Sequence, residues 1–377
     1  MAAASGPYES TVPAQIAELT IDLPPDLAAD AEEAAAELAR FDAHARVRLG
    51  TDSLALGPMS AILLRTESAS SSQIENLTAG ARQLALAEIG QATSGNAAIV
   101  SANVRTMEAA LRLADHLDEE AILAMHRELL SSQPGWAEHA GRYRDTLVWV
   151  GSSSITPRGA VHVGPRAELV PALMGDLSTF MQREDLQVVA QAAIAHAQFE
   201  TIHPFSDGNG RTGRALVHAM VRAKGLVTGT TAPISAGLLI NTSGYTDALG
   251  AYRAGDARPI IERFSEASRY AARSGARLVD RLADQIEEDA QALRAAKLRP
   301  QAAGWKVLPQ LIAHPVINAR YLTDRFGMSD QTAQRALAQL AEAGVLTERT
   351  GKKRDRIWQH TGILTVLDAY AAGLRRR

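Results

Sequence analysis

Apolar positions along the chain recur mostly at helical spacing. From residue 26 the run DLAADAEEAAAELARFDAHARVR places Leu27, Ala31, Ala34, Leu38 and Phe41 along one face, which predicts a long amphipathic helix. The same periodicity predicts helices over 72–90, 104–113, 119–131, 168–183, 186–202, 211–224 and 260–296, with Pro300 as the stop after the last. Ahead of them Pro7, Pro13, Pro24 and Pro25 make residues 1–25 an extended arm. One segment breaks the pattern. Residues 145–165, DTLVWVGSSSITPRGAVHVGP, hold two short β-rich runs at 146–150 and 160–163 around a Gly/Ser/Pro turn, which predicts a hairpin.

After residue 301 the pattern is that of a separate unit. A short helix over 318–326 is followed by the turn Gly327-Met328-Ser329, with Ser329 as N-cap, and by a second helix over 330–343. Ala333, Ala336, Leu337, Leu340 and Ala341 give that helix a buried stripe, and Gly344 supplies its stop. Gln331, Thr332, Gln334, Arg335 and Gln339 then face outward. Residues 347–358, with Arg349, Lys352, Lys353, Arg354 and Arg356 around Gly351, form a basic wing. This is a winged helix-turn-helix pattern, suited either to DNA phosphates or to protein contacts and dimerisation. The expected organisation is an arm (1–25), an N-terminal helical region (26–110), a central domain (111–296) and the winged-helix unit (301–377).

Composition narrows the class. A chain of 377 residues with 46% hydrophobic content can bury a sizeable core, and 5% aromatics with abundant Ala favour closely packed helices over β-sandwiches. The expected fold is mainly α. A formal charge of −3 excludes a protein that is basic overall but leaves room for a local basic patch. The absence of Cys excludes a disulfide scaffold, a thiolate nucleophile and Cys-ligated metal sites. The start MAAASGPYES lacks the basic and apolar regions of a secretion signal, and no run approaches the roughly 18 apolar residues of a membrane span. These features point to a soluble cytoplasmic protein with no membrane partner.

The chemistry concentrates in His203-Pro-Phe-Ser-Asp-Gly-Asn-Gly-Arg-Thr-Gly-Arg214, a loop between two helical patterns. Pro204 drives His203 out of the right-handed helix, so the imidazole sits at a helix C-terminus, whose negative end raises its basicity. Gly208, Asn209 and Gly210 can present successive backbone N–H groups as an anion nest. Arg211 and Arg214 share one face of the next helix's first turn, where the dipole is already positive. A polyphosphate would compensate both guanidiniums, Asp207 supplies an oxygen for Mg²⁺, and His203 is placed as a general base. A dinucleotide fingerprint is excluded, because a helix precedes the glycines and no Asp or Glu lies between Arg214 and Tyr245. A P-loop is excluded because no Gly-Lys-Ser/Thr follows.

This segment resembles the Fic family motif, His-x-Phe-x-Asp/Glu-Gly-Asn-Gly-Arg-x-x-Arg, at every fixed position, and the resemblance extends over about 71–256. It implies a Fic-type helical bundle with a hairpin flap, and a transfer of AMP from ATP to a Ser, Thr or Tyr hydroxyl of a target protein, possibly the chain itself. His203 would deprotonate the hydroxyl and Asp207 would hold Mg²⁺. Gly208, Asn209 and Gly210 would hold the phosphates, Arg211 and Arg214 their β/γ end, and Phe205 would anchor the loop. Asn241 and Tyr245 resemble a segment closing over base and ribose, with a helix cap at Thr242 or Ser243 as the alternative. The hairpin, preceded by Gly141-x-Tyr143-Arg144, resembles the flap that aligns a target by strand addition, with His162 where an aromatic residue is expected. Ser71-Ser-Gln-Ile-Glu75-Asn76 resembles the family's inhibitory motif, which implies that Glu75 pairs with Arg214 in the γ-phosphate position. Its alternative is a capping box, Ser72-x-x-Glu75, that starts a helix. Two further readings stay open at this point: a DNA-binding regulator whose Fic-like domain senses nucleotide, and an enzyme that transfers another phosphate-containing group or removes AMP.

Overall fold

The computed structural model describes residues 6–50, 53–91, 95–151, 153, 155–351 and 356–374. Five helices come first: α1 (Pro25–Leu49), α2 (Leu56–Ile74), α3 (Ala81–Glu88), α4 (Gly95–Arg112) and α5 (Glu119–Leu130). Strands β1 (Trp149–Val150) and β2 (His162–Val163) form the expected hairpin, with Trp149 opposite Val163 and Val150 opposite His162. Then follow α6 (Val170–Met181), α7 (Val188–Ile202), α8 (Asn209–Ala223), α9 (Ile234–Ile240), α10 (Thr242–Arg253) and the long α11 (Arg258–Ala295). The C-terminal part contains α12 (Ala303–Val307), β3 (Val316–Ile317), α13 (Ala319–Phe326), α14 (Asp330–Glu342), β4 (Thr347–Glu348), β5 (Trp358–Gln359) and α15 (Thr361–Gly373). Its three strands pair antiparallel in the order β3-β5-β4. Among the described residues no helix is long and apolar enough to cross a membrane.

The centre is α7, buried at every position from Val189 to Ile202. Its alanines let α1, α6, α8, α10 and α11 approach closely. Helix α1 lies along α11 on the face of Leu27, Ala31, Ala34, Leu38 and Phe41, as the periodicity predicts. Arg273 with Glu37 (2.7 Å) and Arg48 with Asp284 (2.6 Å) pair along the exposed rim. Such surface pairs contribute little to stability, and the apolar stripe carries the packing. Residues 6–24 contain no helix but are tied down: Thr11 N–H donates to the Val163 carbonyl (2.9 Å) and Ile16 N–H to Asp176 (2.6 Å). The arm therefore runs beside the hairpin and over α7. One apolar core extends from Ile16 to Leu367, with smaller clusters beside it, so the C-terminal part is packed onto the helical body through α3, α11 and α15.

Two expectations need correction. The helix expected over 72–90 is two elements, because α2 ends at Ile74 and α3 starts at Ala81. Asn76 adopts φ 62°, and Leu77 N–H and Asn76 N–H bond back to the carbonyls of Ser72 (3.0 Å) and Gln73 (2.9 Å). This is a Schellman termination, which favours Asn or Gly at the left-handed position. Ser72-x-x-Glu75 thus lies at a helix C-terminus, and the capping-box reading fails. In α14, Gln339 does not face outward, since its Oε1 accepts from Gly304 N–H (3.0 Å) where α12 packs against α14. The wing residues Lys352, Lys353 and Arg354 lie outside the described residues.

Helices α9 and α11 cross where Gly237 meets the backbone of Ala267, and a Cβ at 237 would lie 2.5 Å from Ala267 Cα. Gly237→Ala is therefore expected to cost about 1–3 kcal/mol through overpacking. Gly250→Ala, on α10 with open space around it, should instead stabilise by about 0.4–1 kcal/mol. Urea unfolding of both variants checks this, and equal effects would mean that the crossing is not tight.

Candidate active site

Helix α7 ends at Ile202, and its cap His203 takes a left-handed backbone (φ 50°, ψ 61°) that turns the chain into the loop, where Pro204 stops any continuation of the helix. Arg144 locks that turn. It is buried, and its guanidinium donates to the carbonyls of His203 (2.8 Å), Thr146 (2.8 Å) and Pro165 (2.6 Å), joining the loop to the hairpin. Burial depresses the Arg144 pKa from its ordinary value. Phe205 is fully buried and stacks on His126, with ring centres 3.7 Å apart. His126 accepts from Gly141 N–H at Nδ1 (3.0 Å), so its Nε2–H is the donor to the Asp207 carbonyl (3.0 Å).

The side-chain amide of Asn209 closes the loop from within. It accepts from Phe205 N–H (2.9 Å) and donates to the Phe205 carbonyl (2.8 Å). The expectation that Asn209 holds phosphate is corrected accordingly for the side chain, whose polar atoms shape the loop. Its backbone N–H remains at the N-terminus of α8. Gly208 takes φ 77° there, and a Cβ on it would meet Leu129 Cδ2 at 2.6 Å. A Cβ on Gly210 would press on Glu75 and on Arg214 Nη1 (2.7 Å). Only glycine leaves the N-terminus of α8 open enough for an anion.

That position holds a carboxylate. From the end of α2, Glu75 reaches Arg214 Nη2 through Oε1 (2.6 Å) and Arg211 Nε through Oε2 (2.9 Å). The second contact is too oblique for a hydrogen bond and acts as an ion pair. Arg211 also pairs with Asp207 (3.0 Å), and its Nη1 is buried without a hydrogen-bond partner. Arg214 donates to Ser71 Oγ (2.8 Å) and to the Ser71 carbonyl (2.9 Å), so it closes the C-terminus of α2 as well. Both guanidiniums are only 3% exposed. Burial works most strongly against the charge on Arg214, but Glu75, Tyr245 and Glu200 together outweigh it and hold its pKa above the ordinary value.

His203 is neutral. Burial pulls its pKa down to about 4, helped by the charges of Arg253 and Arg144, while the Glu200 carbonyl acts the other way. The expected rise in basicity at a helix C-terminus is thus reversed, because desolvation exceeds the dipole. Its Nδ1 faces Glu200, and Nε2 has no hydrogen-bond partner among the described residues. His162 of β2 lies edge-on to this ring with centres 6.0 Å apart, and it bonds to the Thr201 carbonyl (3.0 Å).

Asn241 and Tyr245 belong to the start of α10. Asn241 is itself the N-cap of α10, accepting from Gly244 N–H (2.9 Å), so the cap is at neither Thr242 nor Ser243. Tyr245 is buried with its hydroxyl on His196 Nε2 (2.7 Å), beside Arg214 and Glu200. Sequence reasoning missed His126 and Glu200. The signal for Glu200 was its spacing of three residues before His203, on the same face of α7. Among the described residues no cluster of three or more His, Asp or Glu could cage a metal. Asp207 offers one carboxylate, 38% exposed and shared with Arg211.

A helical scaffold thus brings together a neutral histidine, a glycine-lined helix N-terminus and two buried guanidiniums. Residues 116–221 match the family model described as the Fic/DOC family, so the chain carries a Fic domain. It is similar to the protein adenylyltransferase fic-1 of Caenorhabditis elegans, 31% identical over 197 residues, which is 49% of this chain and 36% of that protein. It is also similar to the protein adenylyltransferase Fic of Nematostella vectensis, 34% identical over 109 residues, 28% of this chain and 22% of the other. The matches thus span about a third or less of those relatives' length. Among solved structures, a Fic family protein from Desulfovibrio desulfuricans G20 shares the fold at a TM-score of 0.53 and 22% identity, covering 91% of this chain and 98% of that one.

The buried histidines make stability pH-dependent. His203 and His126 are held at about 4, and His162 and His196 at about 3, in each case chiefly by burial. Between pH 6.5 and 4 the unfolded chain binds more protons than the folded one, so stability rises with pH across that window. Glu200, held at about 7 by burial, opposes this between 4.5 and 7, one group against four. The thermal midpoint is expected to fall from pH 6.5 to pH 4. A flat profile in a buffer series would show that these rings are solvated.

Proposed function

We propose that the chain is a protein adenylyltransferase that moves AMP from ATP to a Ser, Thr or Tyr hydroxyl of a protein, its own chain included, and that Glu75 restrains it. The observation that carries this reading is the Glu75 carboxylate, held by both Arg211 and Arg214 at the N-terminus of α8. It stands where the terminal phosphates of a nucleotide would find the same two guanidiniums. The adenylyltransferase relatives support the chemistry. His203 is the general base: it is neutral at pH 7, and Nε2 takes the proton of the attacking hydroxyl. Backbone N–H groups of Asn209, Gly210 and Arg211 receive phosphate oxygens, and the unpartnered Arg211 Nη1 gains an acceptor. The donor set fits Mg²⁺ better than a caged transition metal, since Mg²⁺ binds through one or two carboxylates plus substrate phosphates. Asp207 would hold it, and the ion would supply charge neutralisation at the phosphates. The hairpin, with Val150, Ile155 and Val161 exposed, offers an extended target segment an edge for strand addition.

With Glu75 in place the phosphates cannot take both arginines, and the α-phosphorus is held out of line. Glu75→Gly is expected to raise transfer on the order of 100-fold, the scale of a misplacement by about 1 Å. It also removes the only carboxylate in contact with Arg214 among the described residues and leaves Arg211 with Asp207 alone, so the free variant should melt earlier and regain stability on adding ATP. Adding His203→Ala should remove transfer and keep the ATP-induced rise in melting temperature. Labelled-ATP incorporation with parallel melting curves checks this. A Glu75→Gly protein that is less stable and no more active, with or without ATP, contradicts the restraint.

A second reading concerns the C-terminal unit as a winged helix that binds duplex DNA. Gln331, Gln334 and Arg335 are exposed on α14, and Arg349 is exposed just past β4. If this surface meets phosphates, affinity should fall steeply with salt, and neutralising Arg335 and Arg349 together should flatten the slope by about two phosphate contacts. Fluorescence anisotropy with a duplex measures it. Absence of binding at low salt would favour protein contacts by this surface.

A further inference from the structure

Once the loop, the arginines and Glu75 are accounted for, one buried carboxyl is left over. Glu200 lies one turn before His203 on α7 and is 7% exposed. Its Oε2 stands 3.6 Å from His203 Nδ1, and its Oε1 is buried with no hydrogen-bond partner. The same Nδ1 is 3.3 Å from the Glu200 carbonyl oxygen. Nδ1 therefore faces two oxygen atoms of one residue. A hydrogen on Nδ1 suits both, and the lone pair is then on Nε2. On α8 a Cβ at Gly213 would lie 2.9 Å from Phe199 Cδ1 and 3.2 Å from both Glu200 Oε1 and His196 Nδ1, so glycine there leaves this cluster its room. The other charged and titratable groups around it are Arg214, Glu75 and Arg253, with His196 and Tyr245 behind. None of them hydrogen-bonds to the carboxyl among the described residues. A carboxyl that is costly to bury and leaves an oxygen unpartnered needs a reason to be there.

We propose that Glu200 is the positioning residue of the base: it fixes His203 in the Nδ1–H tautomer and compensates the charge the ring acquires during transfer. This rests on the adenylyltransferase reading. In the step, the hydroxyl O–H bond breaks and its proton goes to Nε2. The hydroxyl oxygen bonds to the α-phosphorus, and the bond from that phosphorus to the β-phosphate oxygen breaks, releasing pyrophosphate. The Nδ1 proton stays on the ring, between the imidazolium and Glu200. Burial holds the Glu200 carboxyl at about 7, so its ionised form gains weight above that pH, and an anion at this distance favours the imidazolium that forms, as carboxylates do behind other catalytic histidines.

The test uses the full chain carrying Glu75→Gly, so that rates are readable, with Glu200→Gln and Glu200→Asp added separately. Glu200→Gln keeps shape and removes charge. Its kcat is expected to fall by about 10–100-fold with KM for ATP unchanged, as when the outer partner of a functional histidine is lost. Glu200→Asp keeps the charge and should recover part of the rate. Independently of activity, ¹⁵N chemical shifts of histidine-labelled protein without nucleotide should show His203 as Nδ1–H, and a tautomer mixture in Glu200→Gln. An Nε2–H tautomer in the parent overturns the proposal, as does an unchanged kcat in Glu200→Gln or a change confined to KM. If the parent labels no protein, the adenylyltransferase reading fails, while the tautomer still decides the role of Glu200.

Discussion

Two guanidiniums buried at the positive end of a helix need an anion, and the rest of the site is arranged around that need. Arg211 lies in the first turn of α8 and Arg214 in the second, near the end where the dipole disfavours cations and where water cannot solvate them. Neither could be held there unpaired. Glu75 answers from α2 and Asp207 from the loop, and the two carboxylates neutralise the two cations. Glu75 is the exchangeable member of this arrangement. It sits at a helix end, is 29% exposed, and is fixed only by its pairing and by the left-handed turn at Asn76. A phosphate chain could offer the same oxygens and displace it.

The loop that frames this exchange is rigid for separate reasons. Arg144 spends its donors on carbonyls at the end of α7 and in the hairpin, Asn209 ties the loop to itself, and His126 stacks under Phe205. None of these groups needs a ligand to be satisfied. The backbone around the Glu75 carboxylate is therefore preorganised, and under the proposed restraint what changes on release is a side chain and not a fold. Restraint of this kind needs little conformational work to release.

Much of this was legible in the chain. The stripe from Leu27 to Phe41 identified α1 because its apolar residues face one partner, α11. The segment from His203 to Arg214 identified the site because its glycines, cations and base have fixed spacing. Other parts depended on tertiary context. The second half of α2 reads as polar, yet its Thr66, Ser68 and Ser70 hydroxyls turn back onto carbonyls four residues earlier, which lets a Ser-rich helix be buried. Glu75 is ambiguous in sequence, since the same residues fit a helix start, and only the turn at Asn76 decides. The ring of His203 looks basic from its helix end and is acidified by burial that no local pattern reveals.

The central claim is that the Glu75 carboxylate and the end of a triphosphate compete for the same two arginines. It is tested most directly by comparing ATP and AMP binding to the parent chain and to Glu75→Gln by calorimetry. The account predicts that ATP binds at least about tenfold more tightly to the variant, a gain of about 1.4 kcal/mol, while AMP binds equally to both. Equal gains for ATP and AMP, or none for either, would place the carboxylate away from the terminal phosphates and contradict the account.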